Sequence, residues 1–137
     1  PAGTTTVVYT FSFHWEAQSY SGLSHYEFYI DGTPVNNGYG RRTQVGAYQA
    51  NHQNVSRVVY EFPILIDSTL DSDEITNLKL KSWTSARTLK MTGRYYGTSY
   101  NAALHHNVWF NGASASTSDT TPATALALPT LSLKAIA

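Results

Sequence analysis

The chain contains no cysteine, which removes disulfides, thiolate zinc sites and a cysteine nucleophile together and leaves cohesion to packing alone. Charge is scarce as well: 13% of the residues are charged, against about 25% in an average domain. What charge there is cancels, nine Lys and Arg against nine Asp and Glu, so no global field draws nucleic acid or an anionic membrane. No stretch reaches the roughly 20 apolar residues of a membrane span, and the opening "PAGTTTVVYTF" has neither the basic start nor the apolar core of a signal peptide. Convincing helical periodicity and internal repeats are missing too. The expected product is one soluble domain over 1–137, without cofactor or metal.

Aromatics are plentiful, at 13% with ten Tyr and three Trp. A surface poor in charge and rich in aromatics points to a face turned toward sister subunits, a host assembly or a sugar. The pattern along the chain is that of strands. In "VVYTFSFHWEA", Val7, Tyr9, Phe11, Phe13 and Trp15 alternate with Val8, Thr10, Ser12, His14 and Glu16, so one face is core and the other wetter. "HYEFYIDGTPV" continues the alternation through Tyr26, Phe28 and Ile30 and meets Asp31-Gly32, a hairpin signal because Gly tolerates positive φ. "NNGYG" reads as a further turn before a polar strand over Arg42–Tyr48. "VSRVVYEFPILI" puts Val58, Tyr60, Phe62, Ile64 and Ile66 on one face, with Pro63 marking an edge or bulge because it donates nothing to a ladder. "TNLKLKSW", "RTLKMTGRYY" and "NAALHHNVWF" supply three more strand candidates, and "ALPTLSLKAIA" closes the chain. About eight strands predict an all-β, antiparallel β-sandwich of jelly-roll type. An apolar closing strand left loose is an aggregation hazard, so Leu131, Leu133 and Ile136 are expected to be locked into a sheet and covered.

No catalytic constellation emerges, and the chain reads as a non-enzyme. His105 and His106 are neighbours on a strand and so point to opposite faces, which keeps them from binding one ion together. Asp67, Asp71, Asp73 and Glu74 miss the spacing and the pivotal Gly of a calcium loop and read as a solvated turn. There is no G-x-S-x-G and no Gly-rich phosphate cradle. Trp83, Tyr95, Tyr96, Tyr100 and Trp109 are candidate partner or sugar contacts. The same rings would serve equally as core or as subunit interface.

The order of motifs adds a resemblance. Phe11-x-Phe13, then "FYIDGTPV", "GYGRRTQVGAY", "VVYEFPILIDST", "RTLKMTGRYYG" and finally "LPTLSLKAIA" resemble a module found at the C-termini of tailed-phage virion proteins: fibres, tail tips and capsid-surface proteins. Ile30-Asp31-Gly32-Thr33-Pro34-Val35 answers that module's R-D-G-x-P-I hairpin, Phe62 through Asp67-Ser68 its F-x-F-x-D-S-P strand end, and Leu131 through Ile136 its closing S-x-L-x-x-x-E-I strand. Ala135 stands where an acid is frequent, and no Arg precedes Asp31. The resemblance implies a jelly roll similar to the tumour-necrosis-factor and C1q heads, assembled as a homotrimer, with the closing strand in the middle of the inner sheet near the threefold axis and no catalytic residue. It implies a virion protein whose partners are itself and the major capsid protein or other virion proteins. With no heptad shaft before Thr4, a capsid decoration or cement protein is expected ahead of a receptor-binding fibre head. A carbohydrate-binding module holding a host surface glycan is the alternative from a different class.

Overall fold

The computed structural model describes residues 2–17, 22–46, 54–97, 102–104 and 129–137. Their strands form two sheets. The first is built on β1 (Thr6–Ala17) and β5 (Asn54–Ile66), paired antiparallel from Thr6↔Leu65 to Ala17↔Asn54. On the far side of β1 lie β8 (Ala102–Leu104) and β9 (Thr130–Ile136), and β6 (Lys79–Leu80) adds to β5. The second sheet centres on β2 (Leu23–Ile30), with β3 (Thr33–Pro34) and β4 (Arg41–Val45) along one edge and β7 (Leu89–Tyr95) along the other.

The alternation in sequence builds the interior. Tyr9, Phe13 and Trp15 of β1, Val58, Tyr60, Phe62 and Ile64 of β5, and Tyr26, Phe28 and Ile30 of β2 are all buried. Their rings interdigitate across the gap between the sheets. Phe28 stacks on Phe62 at 4.4 Å between centroids and on Tyr9 at 5.0 Å, offset arrangements that add to the area they bury. Phe13 meets Tyr26 at 5.0 Å. The result is an all-β sandwich held by an aromatic core.

Several details depart from the sequence expectation. Nine strands occur among the described residues, because the hairpin at Asp31-Gly32 adds the two-residue β3 to the eight stretches read as strands, and of "TNLKLKSW" only Lys79–Leu80 is extended, as β6. The sheet is not wholly antiparallel: β5 pairs with β6 in parallel. "NNGYG" winds into a four-residue helical turn, Asn37–Gly40, and a 3-10 turn over Ile75–Asn77 occupies a stretch expected to be extended. That turn ends on Leu78 in the left-handed conformation, φ 57°, with its side chain driven into the core.

Pro63 marks an edge, as its chemistry requires. The N–H of Ile66 points to Thr5 on the β1 side, while those of Leu65 and Asp67 point to Leu78 and Leu80 on the other. Position 63 therefore faces the outer side, beyond the start of β6, where a missing donor costs no ladder bond. At the β2–β3 hairpin Asp31 (φ 49°) and Gly32 (φ 80°) both take positive φ. This is the primed turn geometry that matches strand twist.

Candidate functional site

β9 runs antiparallel to β1 from Ser12↔Thr130 to Thr6↔Ile136, so the closing run is locked into the first sheet. Its side chains are nevertheless all exposed. Register decides which way they point, since residues directly opposite share a face. Leu131 and Leu133 lie opposite Phe11 and Tyr9 and hence on the inner, core side of the sheet, yet they are 65% and 58% exposed. Ile136 lies opposite Thr6, itself paired with Leu65. Ile136, Leu65 and Pro63 thus share the outer face, all three exposed. Among the described residues no strand pairs with the far edge of β9.

Of the aromatics singled out as contacts, Tyr96 is exposed on the outward face of the second sheet, its N–H bonded to the Leu23 carbonyl at 2.8 Å. Tyr95 pairs with Ser24 in the β2–β7 ladder. Trp83 packs half-buried against the core. Tyr100 and Trp109, with His105 and His106, lie outside the described residues.

The acidic turn is tied up in structural bonds. Asp67 accepts from the Thr69 N–H and hydroxyl, which hold its carboxyl below the usual range. Asp73 accepts from Arg87 at 2.7 Å and from the Lys81 N–H at 2.8 Å. Arg87 also donates to Asp31 at 2.8 Å, clamping the β2–β3 hairpin to the segment that enters β7. Among the described residues no three His, Asp or Glu side chains converge as metal ligands would.

Two polar arrangements escape any reading of pattern alone. Ser24 sits at a core position because its hydroxyl accepts from Trp15 Nε1 at 2.7 Å and donates to the Tyr26 hydroxyl at 3.0 Å, satisfying three buried groups at once. Arg42, on β4, which is an edge strand among the described residues, turns inward and lays its guanidinium 5.0 Å from the centre of the buried Phe62 ring. A cation–π contact of this kind offsets desolvation, and an inward charge also blunts the sheet edge against further pairing. Nearby, Tyr60 is pushed up to about 12 by burial and by Tyr26, with Arg42 opposing the shift.

The outward face of the second sheet carries a concavity of about 530 Å3, floored by β4, β2 and β7. Glu27 lies within it. It accepts from the Tyr29 hydroxyl at 2.5 Å and from Arg41 Nε at 2.8 Å, and these two donors hold its carboxyl below the usual range.

Among the described residues, the fold and these surfaces define an all-β, two-sheet protein with an exposed apolar strand at the edge of one sheet and an open polar concavity on the other. Comparison with protein families, curated proteins and solved structures finds no match to the chain.

Proposed function

We propose that this chain is a non-enzymatic structural protein of a bacteriophage virion, a jelly-roll protomer of a homotrimer that decorates and stabilises the capsid. The observation that carries the reading is β9. Leu131 and Leu133 stand on the core side of the first sheet with more than half their surface in water, an arrangement that favours a second apolar surface over them. Identical chains arranged about a symmetry axis supply that surface three times over. The order of the strands supports a jelly roll: the chain visits the first sheet with β1, the second with β2 to β4, the first with β5 and β6, the second with β7, and returns with β8 and β9. The resemblance of the motif order to that of phage virion modules supports the virion setting. The hairpin Asp31 in that order serves as an anchor for Arg87 and Thr88, a structural part for a structural motif.

A trimer presenting the same surface three times holds a capsid by avidity, because each contact after the first is intramolecular. With zero net charge, the contacts are polar and apolar and vary little with salt. The expected results are a trimer by native mass spectrometry, with subunit interfaces burying more than about 1,000 Å2, and rebinding to stripped capsids that raises their heat resistance at both low and moderate salt. A monomer at micromolar concentration, or a trimer indifferent to capsids, would refute the proposal.

A further inference from the structure

On the outward face of the second sheet the register sets polar side chains into a grid. Arg94, His25 and Thr43 form one row across β7, β2 and β4, and Thr92, Glu27 and Arg41 form the next. Strands about 4.8 Å apart, and alternate residues about 6.8 Å apart along each, make the grid roughly 10 by 7 Å. That is the footprint of one sugar ring with its substituents. All six residues line the 530 Å3 concavity, which falls in the usual range of small-ligand sites, about 300 to 1,000 Å3.

The bonds inside the grid leave a defined set of donors over. His25 Nδ1 is joined to the Thr43 hydroxyl at 3.0 Å, which leaves Nε2 to the groove. Arg41 uses Nε on Glu27 and keeps its terminal nitrogens. Arg94 is exposed and makes no hydrogen bond among the described residues. Two guanidinium groups therefore face one carboxylate that is already paired, and the surplus charge is the planar fork of Arg94, suited to bidentate capture of a carboxylate. A single surplus cation does not suit a polyanion such as nucleic acid, whose binding needs many phosphate contacts.

The next row along the sheet is apolar. Leu23 pairs with Val45 on one side and accepts from the Tyr96 N–H on the other, and Tyr96 is 65% exposed. An aromatic and aliphatic strip beside charged and hydroxyl groups matches a ligand that is amphipathic itself, with C–H faces and polar edges, rather than a simple anion.

We infer that this face binds an acidic sugar, a uronic or sialic residue of a glycan. Its carboxylate lies on Arg94, its hydroxyls donate to Glu27 and accept from Arg41 and His25, and its C–H face rests on the Tyr96 strip. The groove is complete within one chain, so the inference does not depend on the assembly proposed above.

The test is calorimetric titration of the whole protein with trigalacturonate and with sialyllactose, using neutral maltotriose and inorganic phosphate as comparison probes. Saturable binding of at least one acidic sugar is expected, at a Kd of about 1 mM or tighter. Arg94→Gln should weaken it about tenfold or more, since a charge-assisted pair is lost. Tyr96→Ala should weaken it severalfold. Both positions are exposed, so unchanged thermal unfolding of the variants should show that the fold is intact. No binding of either acidic sugar up to roughly 10 mM, equal binding of maltotriose or phosphate, or an Arg94→Gln protein that binds as the parent does would each overturn the inference.

Discussion

Replacing Leu131 and Leu133 together by Thr tests the edge strand directly. Thr keeps a high strand propensity, so the β9 ladder should persist. In a lone chain both side chains are more than half exposed, and surface changes of this kind usually alter stability by no more than about 0.5 kcal/mol. In a trimer that covers them the arithmetic is different. Complete burial of a Leu is worth about 1.5 to 3 kcal/mol, and the exposed part of each side chain leaves roughly 1 to 2 kcal/mol to be gained on assembly. Six such side chains per trimer amount to roughly 6 to 12 kcal/mol, about four to eight powers of ten in the dissociation constant. That constant has units of concentration squared, so the midpoint concentration of assembly should rise by about two to four powers of ten. Sedimentation across a dilution series reads this shift, and circular dichroism of the dissociated variant reads the fold. A parent that is monomeric throughout, or a double variant that assembles at the parent's concentration, would refute the reasoning. A variant that unfolds outright would show instead that β9 is held mainly by contacts within its own chain.

Tyr60→Phe should stabilise the protein: the Tyr60 hydroxyl is buried and has no hydrogen-bond partner among the described residues. Removing it should recover about 1 kcal/mol, or about 3 to 5 °C in Tm for a chain of this size, and a clear loss of stability in urea titration would contradict the assignment. Stability should also fall in acid. The Glu27 carboxyl is held below its ordinary 4.5 by Tyr29 and Arg41, and that of Asp31 below its ordinary 3.8 by Arg87 and the Thr88 N–H. Carboxyls depressed in the folded state contribute stability that is complete above their unfolded values and is lost as pH falls through the folded ones. Tm should therefore hold from neutral pH to about pH 5 and decline below it, and Asp31→Asn should reduce that decline while lowering Tm at neutral pH. An acid slope unchanged in the variant would exclude Asp31 from it.

The closing strand shows how far pattern reading carries. That "TLSLKAI" would be a strand locked into a sheet is written in its composition, but that its partner is β1 is decided by the structure. Pattern does not say that Leu131 and Leu133 would face the core side and still stay exposed, because this depends on how far the second sheet extends over the first. The same limit applies to the groove. Tyr96 was visible as an aromatic, but Arg94, Glu27 and Arg41 read as ordinary surface charges until the register of three strands placed them in adjacent rows.

By itself the sequence determined the period-two alternation of Tyr9 to Trp15, Tyr26 to Ile30 and Val58 to Ile66, hence the strands and most of the core. It also determined the Asp31-Gly32 turn and the edge position of Pro63, because these depend on the backbone chemistry of one or two residues. Tertiary structure alone decided that Ser24 could be buried, since its partners Trp15 and Tyr26 become a bonded set only when the sheets face each other. It alone turned Arg42 inward over Phe62, a residue of the other sheet. Alternation is a property of neighbours along the chain and survives in any strand. A hydrogen bond or a ring contact between sheets needs two distant segments brought within a few ångströms, and no local pattern records which segments those are.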